Sequence, residues 1–597
     1  MSSKHFITDP ASLVNTALHS LTLTNPNVAL DANNKIVYRR PLPSAGTHKQ
    51  KVALISGGGS GHEPSFSGLV GDGILSAAVA GTIFASPSSS QVQAAITSRT
   101  PRDQDVLVVV MNYTGDILNF GVAVEKARAL EKEDRKVEMV VVADDVGVGR
   151  AKAGKVGRRG IAGTVFVVKI AGALAARGFA LQDVAKMARL TADNLVSVGA
   201  SLSHVHVPGR PPMAADQELS SKQVELGMGI HNEDGSARVE LTQLEDLVEM
   251  MLKQLLNQSD EDRAFLSITA DQKVALMVNN LGGVSPLEMG GIVNEVVRQL
   301  TSRYGISPAR TLAGTYMTSL NGLGFSISLL KIVEDKEEIG IEGAPGMIEL
   351  LDDVAEATGW SAPIRRETWE NPNTASYDKN ASLAVEDVSG NLKMDEETLM
   401  AALTKGLRRV IEVEPEVTQY DTVVGDGDCG IGLKRGAEAI LAHFFQEPLT
   451  GDVVADVASI VPVVESSMDG TSGALYTIFL HSLVRSLRQI SATNPGDATA
   501  SVWAKALEKS MQALAKYTPA RPGDRTLIDA LYPFVETLGQ TGDITTAAEA
   551  AQKGADGTKG MKASLGRTVY VGGEGFEQVP DPGAYGLAAF LKGMAEP

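Results

Sequence analysis

The stretch Lys51-Val-Ala-Leu-Ile-Ser-Gly-Gly-Gly-Ser-Gly-His-Glu-Pro64 sets the fold of the first half of the chain. A short apolar run that ends in glycines reads as a buried strand opening into a tight loop. Glycines directly after a strand let backbone amides approach a ligand closely. The stretch is not a dinucleotide fingerprint, because His62 stands where the third glycine of G-x-G-x-x-G belongs. It is not a Walker A loop either, since no Lys-Ser/Thr follows. It offers a small polar pocket with His62 at the rim; the alternative is a glycine turn with a surface histidine.

Working outward, Asp105–Met111 (DVLVVVM) and Val137–Ala143 (VEMVVVA) are equally strand-like, and Ile117–Glu131 between them has helical periodicity. Val274–Val278 and Gly324–Leu330 read as further strands, with a helix from Leu287 to Arg303. Strands alternating with helices predict an at least partly parallel sheet, arranged here as two α/β lobes within residues 1–360. Arg365–Asn391 is polar and lacks apolar periodicity, so 361–393 is read as a linker. Beyond it, Leu399, Leu403, Leu407, Val410 and Ile411 fall at spacings of three and four. Similar stripes recur at 431–445, 453–466, 472–488, 501–515, 525–538, 546–562 and 583–594, which predicts an all-α domain over 394–597.

The whole chain fits these expectations. Its 597 residues exceed one typical domain, and 43% hydrophobic with 21% charged residues is ordinary globular composition. The net charge of −18 argues against binding nucleic acid or anionic membrane surfaces. The single cysteine, Cys429, excludes an intramolecular disulfide and suggests a reducing compartment. The opening MSSKHFITDP has no apolar core of a signal peptide. The longest apolar run, Thr164–Ala176, is broken by Lys169 and Gly172 and falls short of a membrane span. A cytoplasmic protein is expected.

Several further segments could carry chemistry. Asn112-Tyr-Thr-Gly-Asp116 follows a strand, so its carboxylate could meet His62 at one sheet edge; alternatively Asp116 caps the helix opening at Ile117. Gly227-Met-Gly-Ile-His-Asn-Glu-Asp-Gly235 places His231 in a glycine-flanked apolar loop, where a neutral imidazole can act as a nucleophile or simply be structural. His204 and His206 would share a face on a strand and could suit a metal, but no third ligand stands at motif spacing. The sharpest segment is Asp421-x4-Asp426-Gly-Asp428-Cys-Gly430. Three carboxylates within eight residues repel unless a cation neutralises them, and hard oxygen ligands suit Mg²⁺ or Ca²⁺. The EF-hand spacing is not met, so a magnesium–nucleotide site is inferred, against the alternative of a solvated Asp-rich turn. Asp469-Gly-Thr-Ser-Gly473 precedes a helix, so Thr471, Ser472 and free amides could hold phosphates. Pro522–Thr526 and Asp581-Pro-Gly583 are tight turns before helices, and Lys434, Arg525 and Arg567 are candidate positive charges.

Together, GGGSGHEP, NYTGD and GMGIH, followed by the Asp421–Gly430 motif, GTSGALY, PGDRTLIDAL and DPGAYG, resemble the single-chain, ATP-dependent dihydroxyacetone (glycerone) kinases of fungal type. The resemblance implies a substrate-binding K domain and a nucleotide-binding L domain built as an eight-helix barrel. It implies that His231 adds to the substrate carbonyl as a covalent hemiaminal. Gly59, Ser60, Gly61 and His62 match the substrate loop, and His62 with Asp116 the pair that assists deprotonation of the attacking hydroxyl. Asp421, Asp426 and Asp428 match the Mg²⁺ ligands. Cys429, Gly430, Ile431, Gly432, Thr471, Ser472, Arg567, Asp581, Pro582 and Gly583 match nucleotide contacts. Expected partners are dihydroxyacetone, glyceraldehyde and ATP, and a second copy of the chain as a homodimer. The chain departs from common family residues at Met111 (Lys), Cys429 (His) and Asp469 (Gly). Alternative uses of the same parts are cyclisation of FAD to cyclic FMN, another small acceptor, or a regulatory role without catalysis.

Overall fold

The computed structural model describes residues 4–40, 51–130, 135–211, 218–240, 243–371, 389–468, 470–563, 565 and 576–596. Residues 1–374 and 375–597 form two compact units. Most of the expected linker lies outside the described residues; its start forms the short helix Arg366–Glu370.

The first unit holds two six-stranded sheets. The first sheet comprises β1 (Val28–Asp31), β2 (Ile36–Arg39), β3 (Val52–Ser60), β4 (Ala77–Ile83), β5 (Asp105–Met111) and β6 (Val137–Val142), in the order β1-β2-β4-β3-β5-β6. β4, β3, β5 and β6 are parallel, and β1 and β2 add an antiparallel edge. β5 is buried from Val106 to Met111, which is why its sequence is an unbroken apolar run: helices cover both faces of a parallel sheet. The chain leaves β3 on one side for β4 and returns on the other for β5. The loops after β3 and β5 therefore sit together at the carboxyl edge, where open α/β sheets bind ligands.

The second sheet comprises β7 (Leu195–Ser201), β8 (Gln223–Leu226), β9 (Ala237–Glu240), β10 (Val274–Asn280), β11 (Arg310–Gly314) and β12 (Gly324–Lys331), in the order β11-β10-β12-β7-β8-β9. Only its β10–β11 pair is parallel. The apolar run Thr164–Ala176 is a helix buried from Thr164 through Ala175 in the core of this unit. Its Lys169 is fully buried, donates to the Leu350 carbonyl at 2.7 Å, and is pushed down to about 8 by burial. Among the described residues, no helix is long and apolar enough to cross a membrane.

The second unit is helical: Glu396–Val424, Cys429–Gln446, Val453–Ser467, Gly470–Thr493, Ala500–Leu514, Ile528–Thr541, Ile544–Gly557 and Pro582–Ala595. Each packs on the next and the last packs on the first, which closes an eight-helix barrel. The barrel surrounds an apolar cavity of about 550 Å³ lined by Leu407, Leu433, Phe479, Trp503, Phe534 and Phe590, among others.

Candidate active site

In the first unit, the loop after β3 meets two loops of the second sheet. Thr318 N–H donates to the His62 carbonyl at 3.1 Å, Leu320 N–H to the Gly61 carbonyl at 2.7 Å, and the Ser319 hydroxyl to the Ile230 carbonyl at 2.7 Å. These bonds place His231, from the β8–β9 loop, beside His62. Gly61 has φ +102°, and a side chain there would come within 2.8 Å of the Phe84 ring, so the turn that delivers His62 requires glycine.

His62 is fully buried. Its Nδ1 lies 2.8 Å from the Thr318 carbonyl oxygen, and its Nε2 lies 2.9 Å from Nε2 of His231. A carbonyl only accepts, so Nδ1 of His62 carries the proton. Burial, reinforced by the charge of His231, pushes His62 down to about 3. The half-buried His231 ring meets His62, Phe84 and Tyr113 edge-on. Its Nδ1 lies 3.0 Å from Glu233 Oε1.

Asp116 is buried too, but not as the cap read from sequence. The helix begins at Thr114, three residues earlier than Ile117, so Asp116 falls in its first turn. Burial raises its carboxyl above the ordinary range, tempered by the Ser86 hydroxyl and the charge of His231. Among the described residues its Oδ1 has no hydrogen-bond partner. A buried carboxylate oxygen without a partner is costly, and a ligand hydroxyl would satisfy it. Of the expected substrate loop, Ser60 turns its hydroxyl to the Gly81 carbonyl at 2.9 Å, and Gly59 packs so tightly that a side chain would meet Ala85 N at 2.7 Å. These two shape the loop through backbone. Met111 is buried on β5, its Cε 3.8 Å from where a side chain on Gly58 would begin.

His204 and His206 do not form a strand pair. His204 Nε2 lies 3.2 Å from Glu225 Oε2, and His206 Nδ1 lies 2.8 Å from His5 Nε2. Among the described residues the group suited to a metal is elsewhere.

That group is Asp421, Asp426 and Asp428, whose ligand atoms all lie within 4.8 Å of one another. Asp421 lies in the last turn of the helix Glu396–Val424, and the left-handed turn at Gly427 (φ +79°) leads to Asp428 at the start of the next helix. Asp421 Oδ2 accepts the Cys429 N–H at 3.0 Å. Hard carboxylate oxygens converging this closely fit magnesium.

Three helix starts gather near the triad. Cys429 Sγ lies 3.9 Å from the Ser472 hydroxyl, in the first turn of Gly470–Thr493, with the exposed Thr471 beside it. Asp581 caps Pro582–Ala595 by accepting the Ala584 N–H at 2.8 Å. Burial pushes Asp581 up to about 7, and the charge of Asp421 adds to the rise. Burial and Asp421 likewise push the Cys429 thiol up to about 12. Gly430 is pressed against the neighbouring helix, where a side chain would meet Thr418 Oγ1 at 2.3 Å. Ile431 and Gly432 lie on the open side of the same helix. Two of the suggested cations are already engaged. Lys434 pairs with Glu414 at 3.4 Å, and Arg525 donates to the Met561 and Val579 carbonyls at 2.8 and 2.9 Å. Arg567 and Asp469 lie outside the described residues.

Two sites of this kind, a buried histidine pair with a carboxylate and an acidic triad among helix N-termini, define a two-part transferase fold. A Dak1 domain matches residues 19–345 and a DAK2 domain residues 423–596. The chain belongs to the dihydroxyacetone kinase family, in its single-chain arrangement. It is 42% identical to "Dihydroxyacetone kinase 1" of Saccharomyces cerevisiae, over 100% of this chain and 99% of that protein. It is 34% identical to the human "Triokinase/FMN cyclase", over 100% and 99% respectively. The crystal structure of the dihydroxyacetone kinase from C. freundii in complex with AMP-PNP and Mg²⁺ aligns with TM-score 0.62 and 31% identity, covering 100% of this chain and 99% of that one.

Sequence reasoning missed Glu233, Tyr113 and Thr318. Glu233 stood inside the quoted GMGIHNEDG segment, two residues from His231, but spacing alone does not reveal that it turns back onto the ring.

Proposed function

We propose that this chain phosphorylates dihydroxyacetone with MgATP, and glyceraldehyde as a second acceptor. The observation that carries the reading is His231: its Nδ1 is anchored on a carboxylate and its Nε2 faces the buried polar site formed by His62 and Asp116. An imidazole so placed adds to a carbonyl carbon, which selects ketones and aldehydes over glycerol. The orphaned Oδ1 of Asp116, whose basicity burial raises, takes the proton of the attacking hydroxyl. His62, held neutral down to about 3, is the weaker base and serves as a hydrogen-bond acceptor.

Asp421, Asp426 and Asp428 would hold the magnesium ion, which neutralises charge on the ATP phosphates. The helix starts at Gly430–Ile431, Thr471–Ser472 and Gly583 would supply backbone amides for the phosphates. The resemblance supports a homodimer, and the one free cysteine supports a cytoplasmic setting. Sedimentation analysis would check the dimer, and imaging of a tagged chain the location.

The test is His231→Ala. It is expected to abolish turnover of dihydroxyacetone while the melting curve stays unchanged; full activity in that variant would overturn the covalent reading. The name of the human relative supports a secondary reading, FAD cyclisation at the acidic triad. Incubation with FAD and manganese, with cyclic FMN as the product sought, decides it.

A further inference from the structure

The histidine pair has a proton count that its geometry fixes. The Thr318 carbonyl, 2.8 Å from Nδ1 of His62, can only accept, so that nitrogen is protonated and the neutral ring offers Nε2 as an acceptor. Glu233 Oε1, 3.0 Å from Nδ1 of His231, accepts from that nitrogen in the same way. Each ring has then used one proton at Nδ1. The 2.9 Å contact between the two Nε2 atoms still needs a proton, since two bare lone pairs at that distance would repel. The pair thus carries one more proton than two neutral imidazoles. With His62 held neutral by burial, that proton resides on His231.

The charge is answered by Glu233. Its Oε2 accepts the His231 backbone N–H at 2.8 Å, and the left-handed Asn232 (φ 65°) turns the chain back so that both carboxylate oxygens reach the same residue. Partial burial opposes ionisation of Glu233, but the hydrogen bond from His231 and the charges of His231 and Arg159 outweigh it and bring it to about 2. Arg159 is itself fixed by a 2.7 Å ion pair with the buried Asp145 and donates to the Gly227 carbonyl at 2.8 Å. The groups facing the pair are therefore Asp116 and Tyr113 from the β5 side, Arg159 with Asp144 and Asp145 from the loop after β6, and Glu233 from the His231 loop.

We propose that Glu233 is the positioning residue for the nucleophile: it balances the extra proton of the His62–His231 pair and holds the ring so that this proton passes to the substrate's carbonyl oxygen as Nε2 bonds to the carbonyl carbon. This rests on the carbonyl-substrate reading above. In the step, the Nε2–H bond of His231 breaks and an O–H bond forms. The C=O π bond breaks and an N–C bond forms. One positive charge is present before and after; it stays on the His231 ring, where Nδ1–H faces Glu233. No external acid is required, and the attached substrate carries a neutral hydroxyl.

Two experiments test it. Nitrogen NMR of the ligand-free full chain, labelled at histidine, is expected to give both ring nitrogens of His231 as protonated and only one nitrogen of His62. A bare nitrogen on His231 at pH 7.5 would overturn the proton placement whether or not the chain is a triose kinase. In Glu233→Gln, carbon NMR with [2-¹³C]dihydroxyacetone is expected to show at least tenfold less hemiaminal, with the shared proton lost at least one pH unit lower than in the wild type. Wild-type adduct formation and pH dependence in that variant would reduce Glu233 to a turn cap and sink the proposal. If the variant fails to fold, the wild-type nitrogen spectrum still decides. A wild-type chain that forms no adduct but keeps the predicted nitrogen pattern would count against the triose reading and leave the proton placement standing.

Discussion

The burial of His62 makes the stability of the first unit depend on pH in a direction that can be worked out. An unfolded histidine titrates near 6.5. In the folded chain burial, helped by the charge of His231, holds His62 down to about 3. Between those values the unfolded state binds the proton and the folded state does not. The contribution of His62 is therefore fully present above about 6.5 and is lost progressively as pH falls toward 3. At 1.36 kcal/mol per pH unit, moving from pH 7.5 to pH 5 removes about 2 kcal/mol. Glu233, held at about 2, loses its own contribution only below its ordinary carboxylate range, outside this window. Asp145, pushed up to about 6 by burial, changes in the opposite direction, so the measurement must be a difference. Urea unfolding of the full chain is compared with that of His62→Asn at both pH values. A Trp503→Phe background leaves Trp360 and Trp369, both in the first unit, as reporters. The stability advantage of the chain with His62 over the His62→Asn variant is expected to shrink by about 2 kcal/mol on acidification. A difference that stays flat, or that grows as pH falls, would refute the reasoning.

Other consequences follow from the same geometry. Changing Asp421, Asp426 or Asp428 singly to Asn should lower kcat by roughly 10²–10³-fold and raise the magnesium concentration for half-maximal rate, since the ion stabilises several kcal/mol of phosphoryl charge. Steady-state titration with magnesium checks this. Asp116→Asn should lower kcat by about 10²–10⁴-fold with a smaller change in KM, which rate measurements across dihydroxyacetone concentrations would establish. Gly430→Ala should destabilise the helical unit by about 1–3 kcal/mol, because its methyl group would meet Thr418 Oγ1 at 2.3 Å and the Glu414 carbonyl at 2.7 Å; calorimetry of the full chain tests it.

The fold was largely legible because its signals are local. β5 coincides with the strand expected at Asp105–Met111, and the helix expected at Leu287–Arg303 is Pro286–Tyr304. Strands that bury small residues, such as β4 (AAVAGTI), carry no periodic signal and escaped notice. Ligand loops were legible where glycine marks them. The proton logic of the site was not, because it depends on partners brought together by topology: Thr318 lies 256 residues from His62, and His231 lies 169 residues from it. Tyr113 sat inside a quoted motif, but only the packing of its ring edge against His231 gives it a place. For a related reason, the sequence cannot tell that Lys434 meets Glu414 across two helices.

The most direct test of the account is a coupled assay of ADP release by the full chain with MgATP and, in turn, dihydroxyacetone, glyceraldehyde and glycerol. The account predicts turnover with the two carbonyl compounds and none with glycerol, which offers His231 no carbon to attack. No ADP release with either triose, or equal turnover of glycerol, would contradict it.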